Sequence, residues 1–140
     1  MPSDRNPPLL DQKALVTGAS SGIGAAIALT LAQAGAAVGV NYRTSEEAAN
    51  RIVNDIRAVG GQAIALRADV AREEDVDRLM SGVVEAFGRI DILVANSGIQ
   101  SDASLPDMTL QQWQRVIDVN LTGQFFSAHG LRSVASWRNL

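Results

Sequence analysis

Apolar runs of strand length alternate with longer segments of helical period along most of the chain, and this alternation restricts the fold more than any other feature of the sequence. Parallel strands need a long crossover to bring the chain back to the same edge, so the pattern builds βαβ units on a parallel sheet. Strands are expected over Lys13–Thr17, Ala37–Tyr42, Ala63–Arg67 and Ile90–Ala95. Right-handed crossovers followed by a return past the first strand give an α/β, Rossmann-type doubly wound sheet of strand order 3-2-1-4. It is incomplete, with about four βα units and a switch point between strands one and four.

Local signals place the helices between these strands. The first is expected over Gly22–Ala34, with Ile23, Ile27 and Leu31 on one face and Gly35 as its stop. Thr44 and Glu47 have capping-box spacing ahead of a second helix, whose expected buried stripe is Ile52, Ile56 and Val59 before the Gly60-Gly61 stop. Val76, Leu79, Met80, Val83, Val84 and Phe87 recur at helical period, and Gly88 closes that third helix. Thr109 and Gln112 again have capping-box spacing, ahead of Leu110, Trp113, Val116 and Ile117, with Trp113 expected in the core.

Composition removes several classes of function. At 140 residues and 46% hydrophobic content the chain can bury one core. A net charge of -3 argues against nucleic acid as a partner, because phosphate-backbone binding shows as a clustered basic surface. No cysteine and the single His129 leave no thiolate or histidine cluster, and no metal is expected. No apolar run approaches the roughly 20 residues that span a bilayer, so no membrane partner is expected and the expected compartment is the cytoplasm. Residues 1–11, polar and proline-containing, read as a flexible leader.

The turn after the first strand carries the chemistry. It reads Thr17-Gly18-Ala19-Ser20-Ser21-Gly22-Ile23-Gly24, a G-x-x-x-G-x-G between a buried strand and a helix start. Gly18 can turn sharply, Gly22 can let a pyrophosphate reach the backbone, and Gly24 can pack the helix on the sheet. Free N–H groups at a helix start favour phosphate.

These residues resemble the short-chain dehydrogenases/reductases, whose cofactor turn is T-G-x-x-x-G-x-G. The likeness extends over residues 12–126 through Asp69-Val70, Ala95-Asn96-Ser97-Gly98 and Asp118-Val119-Asn120-Leu121-Thr122-Gly123. It implies an NAD(P)-dependent oxidoreductase interconverting an alcohol and a carbonyl, most similar to glucose 1-dehydrogenases with 3-oxoacyl-ACP reductases close behind. By the same resemblance the cofactor-binding set is Thr17, Gly18, Ser20, Ser21, Gly22, Ile23, Gly24, Tyr42, Arg43, Asp69, Val70, Asn96, Ser97 and Gly98. Asp69 and Val70 would meet the adenine, although an aspartate there can also cap a helix. Asn96 would brace the sheet, and Ala95 and Ser97 depart from the family's N-N-A-G.

Cofactor choice turns on the end of the second strand. An acid there accepts from ribose hydroxyls and repels a 2′-phosphate, whereas a base holds that phosphate. The chain has Tyr42-Arg43, so NADP is the expected cofactor with NAD as the alternative; Arg43 as a solvated surface arginine is the competing reading.

The family's proton exchange uses a Tyr-x-x-x-Lys pair and a serine, with a helix asparagine supporting a water relay. Only the asparagine has a match, Asn120; a purely structural role in its helix is the other reading. Tyr42 and Lys13 are the sole tyrosine and lysine and lack that spacing. The likeness fades after Phe126, so residues 127–140, which include Ser133, Ser136 and Trp137, read as a divergent tail from a shifted frame or an early stop. Full-length relatives are expected to be homo-oligomers acting on a small alcohol or carbonyl substrate. This chain, with its fourth strand as an edge, is expected to be inactive and to aggregate or oligomerise; the alternatives are a noncatalytic dinucleotide-binding module and a functionless product of an interrupted gene.

Overall fold

The computed structural model describes residues 6–134. Four strands, β1 (Lys13–Val16), β2 (Ala37–Tyr42), β3 (Ala63–Arg67) and β4 (Ile92–Val94), form one sheet of order β3-β2-β1-β4. All three pairings are parallel, with Val16 opposite both Val40 and Val94. This is the doubly wound order expected from the alternation, and the crossover is at β1/β4.

Helices α1 (Gly22–Gln33), α2 (Glu46–Ala58) and α3 (Glu73–Phe87) follow the first three strands. A long loop then leads from β4 to α4 (Leu110–Ile117), a π-helical turn (Asp118–Thr122) and α5 (Gly123–Val134). Two apolar clusters cover the two faces of the sheet. One joins Val16, Val38 and Val40 to Ala28 of α1 and Val53 and Ile56 of α2. The other joins Leu15 to Val76, Leu79, Met80 and Val83 of α3 and to Val119.

Several helical details depart from the sequence expectation, each for a local reason. Ile23 is 75% exposed, because α1 is packed by its small residues Gly24, Ala25 and Ala28 and its first turn stands at the open end of the sheet. The Thr44–Glu47 capping box does not form: α2 starts one residue later, with Ser45 at the cap and no side-chain cap bond. Val59 is 75% exposed because it sits past the last helical turn, where Gly60 at φ 85 redirects the chain; Ala49 and Val53 fill the stripe instead. Ile90 is buried but outside β4, which is shorter than expected.

The Thr109–Gln112 box is present in both directions, at 3.1 and 2.9 Å. Trp113, expected in the core, is 56% exposed, since α4 has no buried residue and no described element lies over that side. Residues 127–134 continue α5, with Ser127 and Gly130 buried and Leu131 and Val134 against the second cluster. Residues 7–11 form a turn docked on α1, the Leu9 N–H donating to the Ala34 carbonyl at 2.8 Å. Ser136 and Trp137 lie outside the described residues.

Candidate functional site

The carboxyl ends of β1, β2 and β3 and the chain leaving β4 enclose a cleft of about 500 Å³. Gly18, Ser20, Ser21, Gly22, Ile23 and Gly24 form one wall, and Tyr42 and Arg43 continue it beyond β2. Asp69 and Val70 follow β3, and Asn96, Ser97 and Gly98 follow β4. The structure therefore brings together all the expected cofactor residues except Thr17, which is fully buried behind the turn.

The three turn glycines have different physical reasons. Gly18 has φ +61, and a Cβ there would come within 3.0 Å of the Ser97 Cα. A Cβ on Gly24 would sit 2.2 Å from the Gly18 carbonyl oxygen, so α1 packs on the turn only without one. Gly22 has φ +57 and open space where a side chain would stand. The Gly22, Ile23 and Gly24 N–H groups find no acceptor among the described residues, Ser21 provides no side-chain cap, and the first turn holds no acid. A helix start left in this state attracts an anion through both its unpaired donors and its dipole.

Behind the cleft, Thr17 and Asn96 lock β1 to the chain after β4. The Thr17 Oγ1 accepts the N–H groups of Asn96 and Ser97 at 2.9 and 3.1 Å. The Asn96 Nδ2 donates back to the Thr17 and Gly18 carbonyls at 3.1 and 3.2 Å. A Cβ on Gly98 would be 3.6 Å from the Asn120 Oδ1, an ordinary contact. Asn120 lies outside the cleft lining; it accepts the Ile99 N–H and donates to the Ile99 carbonyl, both at 2.8 Å.

At the far end, Asp69 does not cap α3, whose N-cap is Arg72. Its Oδ1 accepts the Ala71 N–H at 3.0 Å and its Oδ2 faces the Arg115 guanidinium at 3.4 Å. Arg43 is exposed at the mouth. Burial, and next the nearby Glu46 carboxylate, raise the Tyr42 phenol above its ordinary 10.0, with Arg67 opposing. The fold thus holds this proton more tightly than the unfolded chain does. The resulting stability is whole below pH about 10 and is lost as pH rises through the folded value. Because Tyr42 is the sole tyrosine, tyrosinate absorbance is expected to titrate at higher pH in the folded chain than in urea. Equal midpoints would contradict this.

Sequence reasoning missed Asn41 and Arg115, which also line the cleft. A polar residue within the otherwise apolar run of β2 was a signal for Asn41. Arg115 gave none, being one more arginine on a helix.

Among the described residues, no three His, Asp or Glu gather as metal ligands. No helix among them is long and apolar enough to cross a membrane.

The family model for short chain dehydrogenase matches residues 12–134. The chain belongs to the short-chain dehydrogenase family. It is 53% identical to a 3-oxoacyl-[acyl-carrier-protein] reductase of Synechocystis over 117 residues, covering 84% of this chain and 47% of that protein. A probable tetrahydroxynaphthalene reductase of Zymoseptoria tritici is 50% identical, with 85% and 45% covered. The chain thus spans about half the length of these curated relatives.

Solved short-chain dehydrogenases share the fold. One from Burkholderia cenocepacia, in complex with NADP, superposes with a TM-score of 0.88 at 41% identity, covering 91% of this chain and 52% of that one. A dehydrogenase/reductase from Sinorhizobium meliloti gives 0.89 at 38% identity, covering 93% and 52%.

Proposed function

We propose that this chain is the dinucleotide-binding portion of an oxidoreductase that interconverts an alcohol and a carbonyl, with NADP preferred over NAD. The observation that carries this reading is the uncapped start of α1, whose unpaired N–H groups at Gly22, Ile23 and Gly24 open onto the cleft. They would hold the pyrophosphate, with Ser20 and Ser21 beside it. Tyr42 and Arg43 would hold the adenosine ribose and its 2′-phosphate, and Asp69 and Val70 the adenine. Asn96, Ser97 and Gly98 would flank the nicotinamide half. When bound, the cofactor supplies or accepts the hydride.

Among the described residues the cleft lining offers binding and orientation, and the sole tyrosine and lysine do not pair there as a proton donor. Tyr42 lies at the adenosine end of the cleft, while Lys13 begins β1, at the opposite end of the sheet. Binding of NADPH without turnover is the behaviour proposed for the chain by itself, and Asn120 would support a relay only in the company of further residues. The names of the relatives, a 3-oxoacyl-[acyl-carrier-protein] reductase and a probable tetrahydroxynaphthalene reductase, support a ketone on an acyl or aromatic skeleton as substrate over glucose. Exposed Leu110, Trp113, Leu121 and Phe125 support self-association, and a cytoplasmic location fits the same reading.

Arg43→Ala tests the cofactor preference. A charge-assisted bond to the 2′-phosphate is lost, so NADPH affinity should fall about tenfold with NADH affinity unchanged. Titration with both cofactors, followed by nicotinamide fluorescence, measures this. Unchanged NADPH affinity would overturn the preference.

A further inference from the structure

Asn41 occupies the last third of β2, and its side chain is almost wholly buried, 2% exposed, although it lines the cleft. A buried amide in an apolar strand costs free energy unless every polar atom is partnered, and here every one is. The Oδ1 accepts the Gly18 N–H at 3.1 Å, and the Asn41 main-chain carbonyl accepts the next N–H, that of Ala19, at 2.8 Å. The Nδ2 donates among three carbonyls, Leu66 at 3.2 Å and Tyr42 and Ala68 at 3.3 Å.

These partners belong to three different segments of the cleft wall. Gly18 and Ala19 open the turn that leads to the phosphate-facing helix start. Tyr42 precedes Arg43 at the ribose end. Leu66 and Ala68 lead into Asp69 and Val70 at the adenine end. With both Nδ2 protons spent on main-chain carbonyls, Asn41 has no donor left for a ribose hydroxyl, so it does not read the cofactor directly.

Resting on the cofactor reading above, we infer that Asn41 is a positioning residue that fixes the spacing between the pyrophosphate turn and the adenosine pocket. A ligand that spans both subsites gains from that fixed spacing, because the protein has already met the ordering cost; a ligand that touches only one subsite gains nothing. Removing the side chain leaves each subsite its own residues and releases their separation. Loss of affinity should therefore depend on how far the ligand reaches, an outcome that plain loss of stability does not produce.

The test compares NADPH, which spans the cleft, with adenosine 2′-monophosphate, which lacks the pyrophosphate, on the full chain and on Asn41→Ala. NADPH affinity is expected to fall about tenfold and that of adenosine 2′-monophosphate by no more than about twofold. Equal losses for the two ligands, or no loss of NADPH affinity, overturn the positioning role.

Asn41→Asp keeps the shape and the acceptor for Gly18 but faces three carbonyls with a carboxylate; it should show the same selective loss. A further measurement needs no variant. In the ligand-free parent the Gly18 and Ala19 amides, both held by Asn41, should already exchange as slowly as the amides of β2, and fast exchange there overturns the inference even where both variants fail to fold. A parent chain that binds neither ligand overturns the cofactor reading itself, whereas binding by the parent with parallel losses in the variants overturns only the role of Asn41.

Discussion

Gly24→Ala is expected to destabilise the fold by about 3 kcal/mol, to lower the melting temperature by roughly 10 °C and to abolish NADPH binding. The added Cβ would stand 2.2 Å from the Gly18 carbonyl oxygen and 2.6 Å from the Asn96 Nδ2. The nearer atom is main chain, so no rotamer change relieves the contact. Either α1 moves off the sheet or the turn distorts, and both displace the helix start from the cleft. Alanine's better helix propensity offsets only about 1 kcal/mol of this.

Gly22→Ala is the matched control. It meets nothing within 4 Å but must hold φ +57, so its cost is confined to the left-handed backbone, about 1 kcal/mol. Denaturant unfolding of the two variants separates the effects. Equal, small losses would show that α1 does not depend on close packing at Gly24.

Thr17→Val is expected to cost about 2–3 kcal/mol although the two side chains have nearly the same shape. The hydroxyl is fully buried and accepts two main-chain N–H groups, from Asn96 at 2.9 Å and Ser97 at 3.1 Å. Valine leaves both donors unpaired; its gain in apolar burial is smaller than that loss. Thr17→Ser keeps the oxygen and should recover most of the stability. Urea unfolding gives the magnitudes, and faster amide exchange at Asn96 and Ser97 in Thr17→Val alone would localise the cause. A neutral Thr17→Val would mean that the clasp between β1 and the chain after β4 contributes little.

The parts of the fold legible in the sequence are those set by local pattern. Continuous apolar runs such as Ala14–Val16 and Ala37–Val40 become interior strands because both faces of the sheet are covered. The turn Thr17–Gly24 then fixes where the first crossover starts.

Register at helix ends was legible only in part. Thr44–Glu47 and Thr109–Gln112 share one spacing, yet only the second forms a box, because α2 begins one residue later than that spacing requires. The apolar faces of α1 and α4 misled for a different reason. Ile23 and Trp113 are apolar at helical spacing, but no described element covers them, and spacing alone does not say what lies opposite.

In the site, the glycines and Asp69-Val70 were legible because each lies in a short contiguous stretch that carries the family likeness. Arg115 was not, and Asn41 showed only as a polar residue in an apolar strand, since the roles of both come from partners distant in sequence. Asn41 joins residues 23 to 27 positions away, and Arg115 reaches Asp69 across 46. Thr17 was legible as part of the motif but not as a residue behind the cleft, which depends on β4 lying next to β1.

The most direct test of the cleft as a dinucleotide site is titration of the purified chain with NADPH, followed by nicotinamide fluorescence and by the thermal transition. Saturable one-to-one binding is expected, with a melting temperature that climbs with ligand concentration. A chain that melts cooperatively yet shows neither saturation nor a shift would contradict it.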